Sequence, residues 1–326
     1  LKKIALLAFI GVLRNFAILQ FREITILQNQ GCLVQLLSTH LNQLFFLFLP
    51  PMEQRAHYDL LQVALAAVVE ASAEIIRVYR EGFSPNYKND GSPVTQADLA
   101  SNAILERYLI PTQIPLLTEE SAHAPYEERH EWERLWCIDP LDGTKEFIKR
   151  NDEFAINIAL IEHKKPVLGI IASPVEERIL VGGKTVEPAV ISFDTIHDRS
   201  AWQIISPKQE VNSPIIIASS RTPHSGATLD YIHKTDAQFG SHAFLKKGSA
   251  LKFFDLALGK ADVYPRFAPT MEWDIAAGQA IIEALGGSVH HALSGEPLYY
   301  NKANLLNPYF VVNSHAVNKY FERHAH

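Results

Sequence analysis

The sequence predicts a mixed fold of the α/β (α+β) class, and three observations carry that reading. Residues 58–80 place Leu61, Leu65, Val68, Ile75 and Tyr79 on one face at helical spacing. Phe154, Ile156, Ile158 and Leu160 alternate with Ala155, Asn157 and Ala159, the period-two pattern of a half-buried strand. After residue 214, strand-like and helix-like segments alternate to the C-terminus. A chain of 326 residues, 47% hydrophobic and 20% charged, can bury a core for one large domain or two medium ones.

Taken in order, the first segment differs from the rest. Lys2 and Lys3 precede an apolar run over 4–13 that Arg14 breaks, and a second short run, 44–49, ends at Pro50 and Pro51. A bilayer span takes about 20 apolar residues, so each run is too short to cross one. An export signal or weak membrane association through this segment competes with a simpler reading, in which residues 1–51 lie outside the native domain. Met52 is the first methionine, and a clean helical pattern follows it closely. Met52 is therefore the expected natural start. The intact mass of the native protein tests this; a product retaining residues upstream of Met52 would refute it.

The helix over 58–80 should stop at Gly82. Residues 84–92 are polar and read as a loop. Thr95 then suits an N-cap, with Asp98 in the position of a capping-box acid and Ala100, Ile104 and Tyr108 as the apolar stripe, closed by Pro111. Two short strands follow. Leu116-Leu117 leads into Thr118-Glu119-Glu120-Ser121, and Leu135-Trp136-Cys137-Ile138 leads into Asp139-Pro140-Leu141-Asp142-Gly143-Thr144. The strand over 154–160 turns at His163-Lys164-Lys165 into a partner over 167–171, expected antiparallel. Further strands are expected at 215–218, 261–264 and 310–312, and helices at 225–233, 249–258 and 274–285. A subdomain boundary near 183–190, on Gly182-Gly183 and Pro188, divides 52–185 from 186–326.

The net charge is −6 with His neutral, which disfavours a nucleic-acid partner but leaves room for a small phosphorylated one. Cys32 and Cys137 offer neither metal-ligand spacing nor a disulfide framework. They suit a reducing compartment, and the expected location is cytoplasmic, with peripheral inner-membrane contact as the alternative.

The acids at strand ends are the informative feature. Pro140 fixes φ and removes a donor, so the segment between Asp139 and Asp142 can form a stiff turn that aims both carboxylates at one point. Gly143 permits close backbone approach, and amides at a helix start bind phosphate. Two hard carboxylates beside a phosphate cradle describe a magnesium phosphatase site. Taken alone, Asp-x-x-Asp in a loop is more often a solvated turn. Glu119 read alone is a surface acid, Asp274 an N-cap and Asp98 a capping-box acid.

Asp139-Pro140-Leu141-Asp142-Gly143-Thr144 resembles the signature of the inositol monophosphatase superfamily, a lithium-sensitive group of magnesium phosphatases. Val94-Thr95-Gln96-Ala97-Asp98, Thr118-Glu119-Glu120-Ser121 and Glu272-Trp273-Asp274-Ile275-Ala276-Ala277-Gly278 resemble its other motifs, in order, from about Met52 to the C-terminus. The run Lys145-Glu146-Phe147-Ile148, together with Asn157-Ile158-Ala159-Leu160-Ile161 and Tyr264-Pro265-Arg266-Phe267, resembles the bisphosphate nucleotidase branch. In Gly248-Ser249-Ala250-Leu251-Lys252-Phe253, Ala250 stands where that branch usually has Ser, which removes one expected substrate hydrogen bond.

The resemblance implies a layered αβαβα sandwich. It implies that Glu119, Asp139, Asp142, the Leu141 carbonyl and Asp274 bind two or three magnesium ions. It implies that Asp98 and Thr144 take and relay the proton of an attacking water, and that Gly143 and Thr144 amides hold the phosphate. Ser249, Lys252 and Arg266 are the expected substrate residues, with Ser220-Arg221 a further pair. The expected substrate is a phosphorylated nucleotide, 3'-phosphoadenosine 5'-phosphate, in sulfur assimilation and nucleotide recycling. Inositol phosphate or fructose bisphosphate hydrolysis on the same fold is the first alternative. A non-catalytic phosphonucleotide-binding protein is an alternative of another class, and a membrane-anchored protein a third.

Overall fold

The computed structural model describes residues 52–88, 91, 93–220 and 226–324. The expectations about residues 1–51, and about Arg221, lie outside them. Residues Glu53–His326 form one compact unit.

The expected first helix is α1 (Met52–Glu81), whose face of Leu61, Leu65, Val68 and Ile75 is fully buried. Gly82 closes it in a left-handed conformation, φ 98°, its N–H on the Val78 carbonyl. A two-stranded ribbon pairs β1 (Asn86–Tyr87), inside the stretch expected as a plain loop, with β2 (Pro93–Val94) just after it. Thr95 caps α2 (Gln96–Leu109), and the capping box with Asp98 is formed as predicted.

The seven-stranded sheet follows, in spatial order β3 (Leu116–Thr118), β4 (Arg134–Asp142), β5 (Ala155–Glu162), β6 (Lys165–Ser173), β7 (Arg178–Gly183), β8 (Ala189–Ser192) and β9 (Gln203–Ile204). β3 and β4 are parallel, and all later neighbours antiparallel, including the expected β5–β6 pair. Short helices α3 (Tyr126–Arg129) and α4 (Thr144–Lys149) flank β4.

Gly182 and Gly183 suggested a boundary, yet both lie inside β7. A side chain at Gly183 would place Cβ 2.2 Å from the Val167 carbonyl oxygen, so close strand packing, not a linker, requires glycine there. The expected division at 185/186 falls between β7 and β8, which pair with each other.

The second sheet runs β11 (His242–Lys246), β10 (Ile215–Ser219), β12 (Val263–Arg266), β14 (Phe310–Asn313) and β13 (Ser288–His291). Its helices are α5 (Ala227–Phe239), α6 (Leu251–Ala257), α7 (Glu272–Ala284) and α8 (His315–His324).

Burial sorts these elements into five layers. On one face of the large sheet Trp136, Ile138, Ile156, Ile158 and Leu160 pack with α1 and α2. On the other, Cys137, Ala159, Ile171 and Leu180 share a core with α6, α7 and the inner face of the small sheet, through Tyr264, Phe310 and Val312. The outer face of the small sheet buries Ile215, Ile217 and Val263 against Ile232 of α5 and Val317 of α8. The order helix, sheet, helix, sheet, helix is the expected αβαβα sandwich. Because alternate residues of a strand face opposite sides, β4 and β5 contribute to two cores at once and read as almost continuous apolar runs.

Candidate active site

The ends of β3 and β4 and the first turn of α7 bring the acids together. Glu119 follows β3, and its N–H bonds the Ile138 carbonyl at 3.2 Å across the parallel pair. That register sets Glu119 beside Asp139 near the end of β4. The turn predicted between Asp139 and Asp142 is an irregularity within the strand: β4 runs on to Asp142, and its register against β5 shifts between the two acids. This bulge is the physical device that re-aims them. The Leu141 N–H donates to Asp139 Oδ1 at 3.0 Å, and Ser101 Oγ of α2 to the Pro140 carbonyl at 2.7 Å, pinning the turn on both sides. Asp274 enters from α7. It is not the N-cap that its sequence position suggested but the third helical residue, and its Oδ2 accepts the Met271 N–H at 2.8 Å.

Among the described residues, Glu119, Asp139 and Asp274 bring one carboxylate oxygen each within 4.8 Å of the others. Burial pushes the Asp139 carboxyl well above the carboxylate range, with repulsion from Glu119, Asp142 and Asp274 adding to it. Asp274 is pushed up to about 8 by burial and then by Asp142 and Glu119. Burial also carries Asp142 up to about 6, against the pull of Lys252 and the Ala250 N–H. Acids gathered this way repel one another unless a cation lies among them. An all-oxygen donor set at this charge fits a hard divalent ion.

Beside the acids, Thr144 Oγ1 donates to Asp98 Oδ1 at 2.9 Å and lies 3.3 Å from the Leu141 carbonyl. The other Asp98 oxygen accepts from Thr95 N–H at 2.8 Å and Thr95 Oγ1 at 2.6 Å. Asp98 is thus both the capping-box acid and the partner of Thr144. Burial raises its pKa, and the bonds from Thr95 and Thr144 oppose the rise. Gly143 has φ 96°, and a Cβ there would lie 3.0 Å from the Glu153 carbonyl oxygen and 3.1 Å from Ser249 Cβ. The left-handed backbone and these close contacts together strain any side chain placed here.

A cleft of 490 Å³ opens above this floor, lined by Asp142, Gly143, Ser249, Lys252, Arg266 and Asp274, among others. Both expected cations line it. Lys252 is 4% exposed, with Nζ donating to the Ser249 carbonyl at 2.6 Å and sitting over the Tyr264 ring. Arg266 Nη1 donates to Ser220 Oγ at 2.9 Å, and its charge is felt at Asp274. Ser220, the weaker candidate, thereby joins the cleft wall. Ser249 adopts φ 48° and holds the Leu251 N–H through Oγ at 3.3 Å.

Sequence reasoning missed three contributors. Lys88 Nζ reaches Glu119 at 3.0 Å and Glu120 at 2.7 Å from the ribbon before α2. Asn157 Nδ2 points at Asp142 Oδ2, 3.4 Å away; the available signal was a polar residue inside an otherwise apolar strand. The Ala250 N–H donates to Asp142 Oδ2, so the position that departs from the branch pattern still contributes through its backbone.

Three comparisons bear on this arrangement. A family profile described as the inositol monophosphatase family matches residues 57–325. The chain is 39% identical over 251 residues to the 3'(2'),5'-bisphosphate nucleotidase CysQ of Shigella flexneri, spanning 74% of this chain and 95% of that protein. It is 39% identical over 252 residues to the protein of the same name from Escherichia coli K12, with the same shares covered. Among solved structures, CysQ from Bacteroides thetaiotaomicron superposes with TM-score 0.69 at 36% identity, covering 79% of this chain and 97% of that one. An inositol monophosphatase from Anabaena, at TM-score 0.62 and 22% identity over 82% and 95% of the two chains, shares the fold.

Proposed function

The chain belongs to the inositol monophosphatase family, and from that premise we propose that it is a magnesium-dependent phosphomonoesterase releasing the 3'-phosphate of 3'-phosphoadenosine 5'-phosphate. The observation that carries the reading is the convergence of Glu119, Asp139 and Asp274, the last of which lines, with Asp142, a cleft whose wall also holds Arg266 and Lys252.

Glu119, Asp139, Asp142, Asp274 and the Leu141 carbonyl would hold two or three magnesium ions. When bound, these ions neutralise the acids, polarise the phosphate and lower the pKa of an attacking water. The remaining work falls to the chain. Thr144 donates its hydroxyl hydrogen bond to Asp98, which leaves its oxygen lone pairs to accept a hydrogen bond from the attacking water; as that water gives its proton to Thr144, the Thr144 proton would pass to Asp98. The upward push on Asp98 by burial suits a group that must hold a proton transiently. The Gly143 and Thr144 amides would orient the phosphate, and Arg266, with Ser249 and Lys252, would read the second phosphate, where a guanidinium fork matches phosphate geometry. Lys252 also braces the backbone that presents Ser249.

The test is magnesium-dependent phosphate release by the full chain from 3'-phosphoadenosine 5'-phosphate, inositol 1-phosphate and fructose 1,6-bisphosphate. Strong preference for the nucleotide is expected. Arg266→Gln should raise KM for the nucleotide by about 10–100-fold, as loss of a charge-assisted pair does, and leave kcat within a few-fold. Preference for inositol phosphate would keep the metal site and overturn the nucleotide reading. No release from any of the three, with magnesium bound, would favour a binding protein.

Asp98→Asn supplies a separate check on the relay. Asn keeps an acceptor for Thr144 but cannot take the proton, so kcat should fall by about 10²–10⁴ with KM little changed. Unchanged kcat would remove Asp98 from the reaction and leave it as a helix cap alone.

A further inference from the structure

The acid two residues before Asp274 touches none of the cleft, yet it is among the best-held carboxylates in the molecule. Glu272 is 0% exposed. Its Oε2 accepts the Asn301 N–H at 2.6 Å; its Oε1 accepts the Lys302 N–H at 3.0 Å and Lys302 Nζ at 2.5 Å. A buried charge is tolerated only when paired and hydrogen-bonded, and here three donors converge on it.

The partners are as telling as the bonds. Asn301 is also 0% exposed and has φ 58°, a left-handed conformation that costs a non-glycine residue unless its surroundings enforce it. Its side chain is held from the far side by Arg129, itself buried: Arg129 Nη1 donates to Asn301 Oδ1 at 2.8 Å, and Asn301 Nδ2 to the Arg129 carbonyl at 2.5 Å. The same loop then binds the start of α7 directly. The Glu272 N–H donates to the Leu305 carbonyl at 3.0 Å, the Asn307 N–H to the Thr270 carbonyl at 2.8 Å, and Asn307 Nδ2 to the Met271 carbonyl at 2.5 Å. Met271 is the residue whose N–H fixes Asp274 Oδ2.

We infer that Glu272, through its clamp on Asn301 and Lys302, is a positioning residue that sets the first turn of α7 and hence where Asp274 presents its carboxylate to the metal. It acts through the backbone and carries no ligand atom of its own. The inference rests on the reading of Asp274 as a metal ligand. Groups that hold a ligand from behind typically change metal affinity by about 10–100-fold when altered.

The experiment measures magnesium binding by titration calorimetry, together with melting temperature, on the full chain carrying Glu272→Gln, Asn301→Gly or Asp274→Asn. Gln is nearly isosteric but puts an amide donor against one of the three donors around it. Asn301→Gly keeps the left-handed backbone and deletes the tie to Arg129, and it carries the test if Glu272→Gln does not fold. Asp274→Asn is the reference for the site itself. The expected result is at least ten-fold weaker magnesium binding in Glu272→Gln and a smaller, several-fold loss in Asn301→Gly. The kcat of Glu272→Gln at saturating magnesium should stay within a few-fold. A lowered melting temperature with unchanged magnesium affinity in both, while Asp274→Asn binds poorly, overturns the positioning role. If Asp274→Asn itself binds magnesium normally, the metal-site reading has failed instead.

Discussion

Asp142→Asn is expected to lower kcat by about 10³ or more while leaving the protein folded. Asp142 sits at the junction of everything the site does. The Ala250 N–H and Asn157 Nδ2 point at its Oδ2, and Lys252 supplies positive potential. Asn keeps the shape but removes the charge, and its amide must also face a donor where the carboxylate accepted one. If that charge supplies about 4 kcal/mol to the bound transition state, within the several kcal/mol attributed to metal-centred charge stabilisation, the rate falls about a thousand-fold. Stability should move the other way. Without metal, Asp142 is repelled by the acids around it and disfavoured by burial, so the neutral variant should melt at the same or a higher temperature in chelator. Activity within ten-fold of the parent, at ordinary magnesium, would show that Asp142 is not at the reacting centre.

The metal-free protein is expected to lose stability as pH rises from about 4 to about 8, and magnesium to restore more of it at the upper end. Burial first, then mutual repulsion, raises Asp142 to about 6, Asp274 to about 8 and Asp139 well above its ordinary range. Each acid binds its proton more tightly folded than unfolded. Its contribution is therefore complete below the ordinary carboxylate pKa and is lost as pH rises through the folded value. At about 1.4 kcal/mol for each pH unit between folded and unfolded titration, Asp142 alone accounts for at most about 3 kcal/mol. For a protein of this size that is a fall of about 5–10 °C in melting temperature. Metal binding needs the ionised acids, so the melting temperature gained on adding magnesium should be larger at pH 8 than at pH 5.5. A chelated protein whose melting temperature is flat or rises over that range, or an equal magnesium effect at both pH values, would mean that the acids are not held together as described.

Much of the site is legible without coordinates because its residues sit at element boundaries, which local chemistry marks. Thr95 and Asp98 advertise a helix start, and that start is formed with the very bonds a capping box requires. Pro140 and Gly143 mark a break in a strand pattern, and a bulge and a left-handed glycine are there. The less legible elements have weak patterns for physical reasons. β7 hides behind a glycine pair, the second of which, Gly183, close packing demands. The apolar stripe of α8 is short, Ala316 and Val317 with Tyr320 and Phe321 a turn on, and only the first two are buried.

The sequence by itself determined the element types, the positions of the acids and their resemblance to a metal phosphatase, since periodicity, caps and turn residues act over a few residues along the chain. Only the tertiary structure decided which of them meet. Glu119 lies beside Asp139 because β3 and β4 pair in parallel at one register, and Asp274 joins them because α7 packs across the large sheet. It likewise decided that Lys252 is buried, that Arg266 faces the cleft and that Asn301 is locked between Glu272 and Arg129. These contacts join residues up to 172 positions apart. They exist because separate apolar faces close on common cores, and no local pattern along a chain encodes the distance between two such faces.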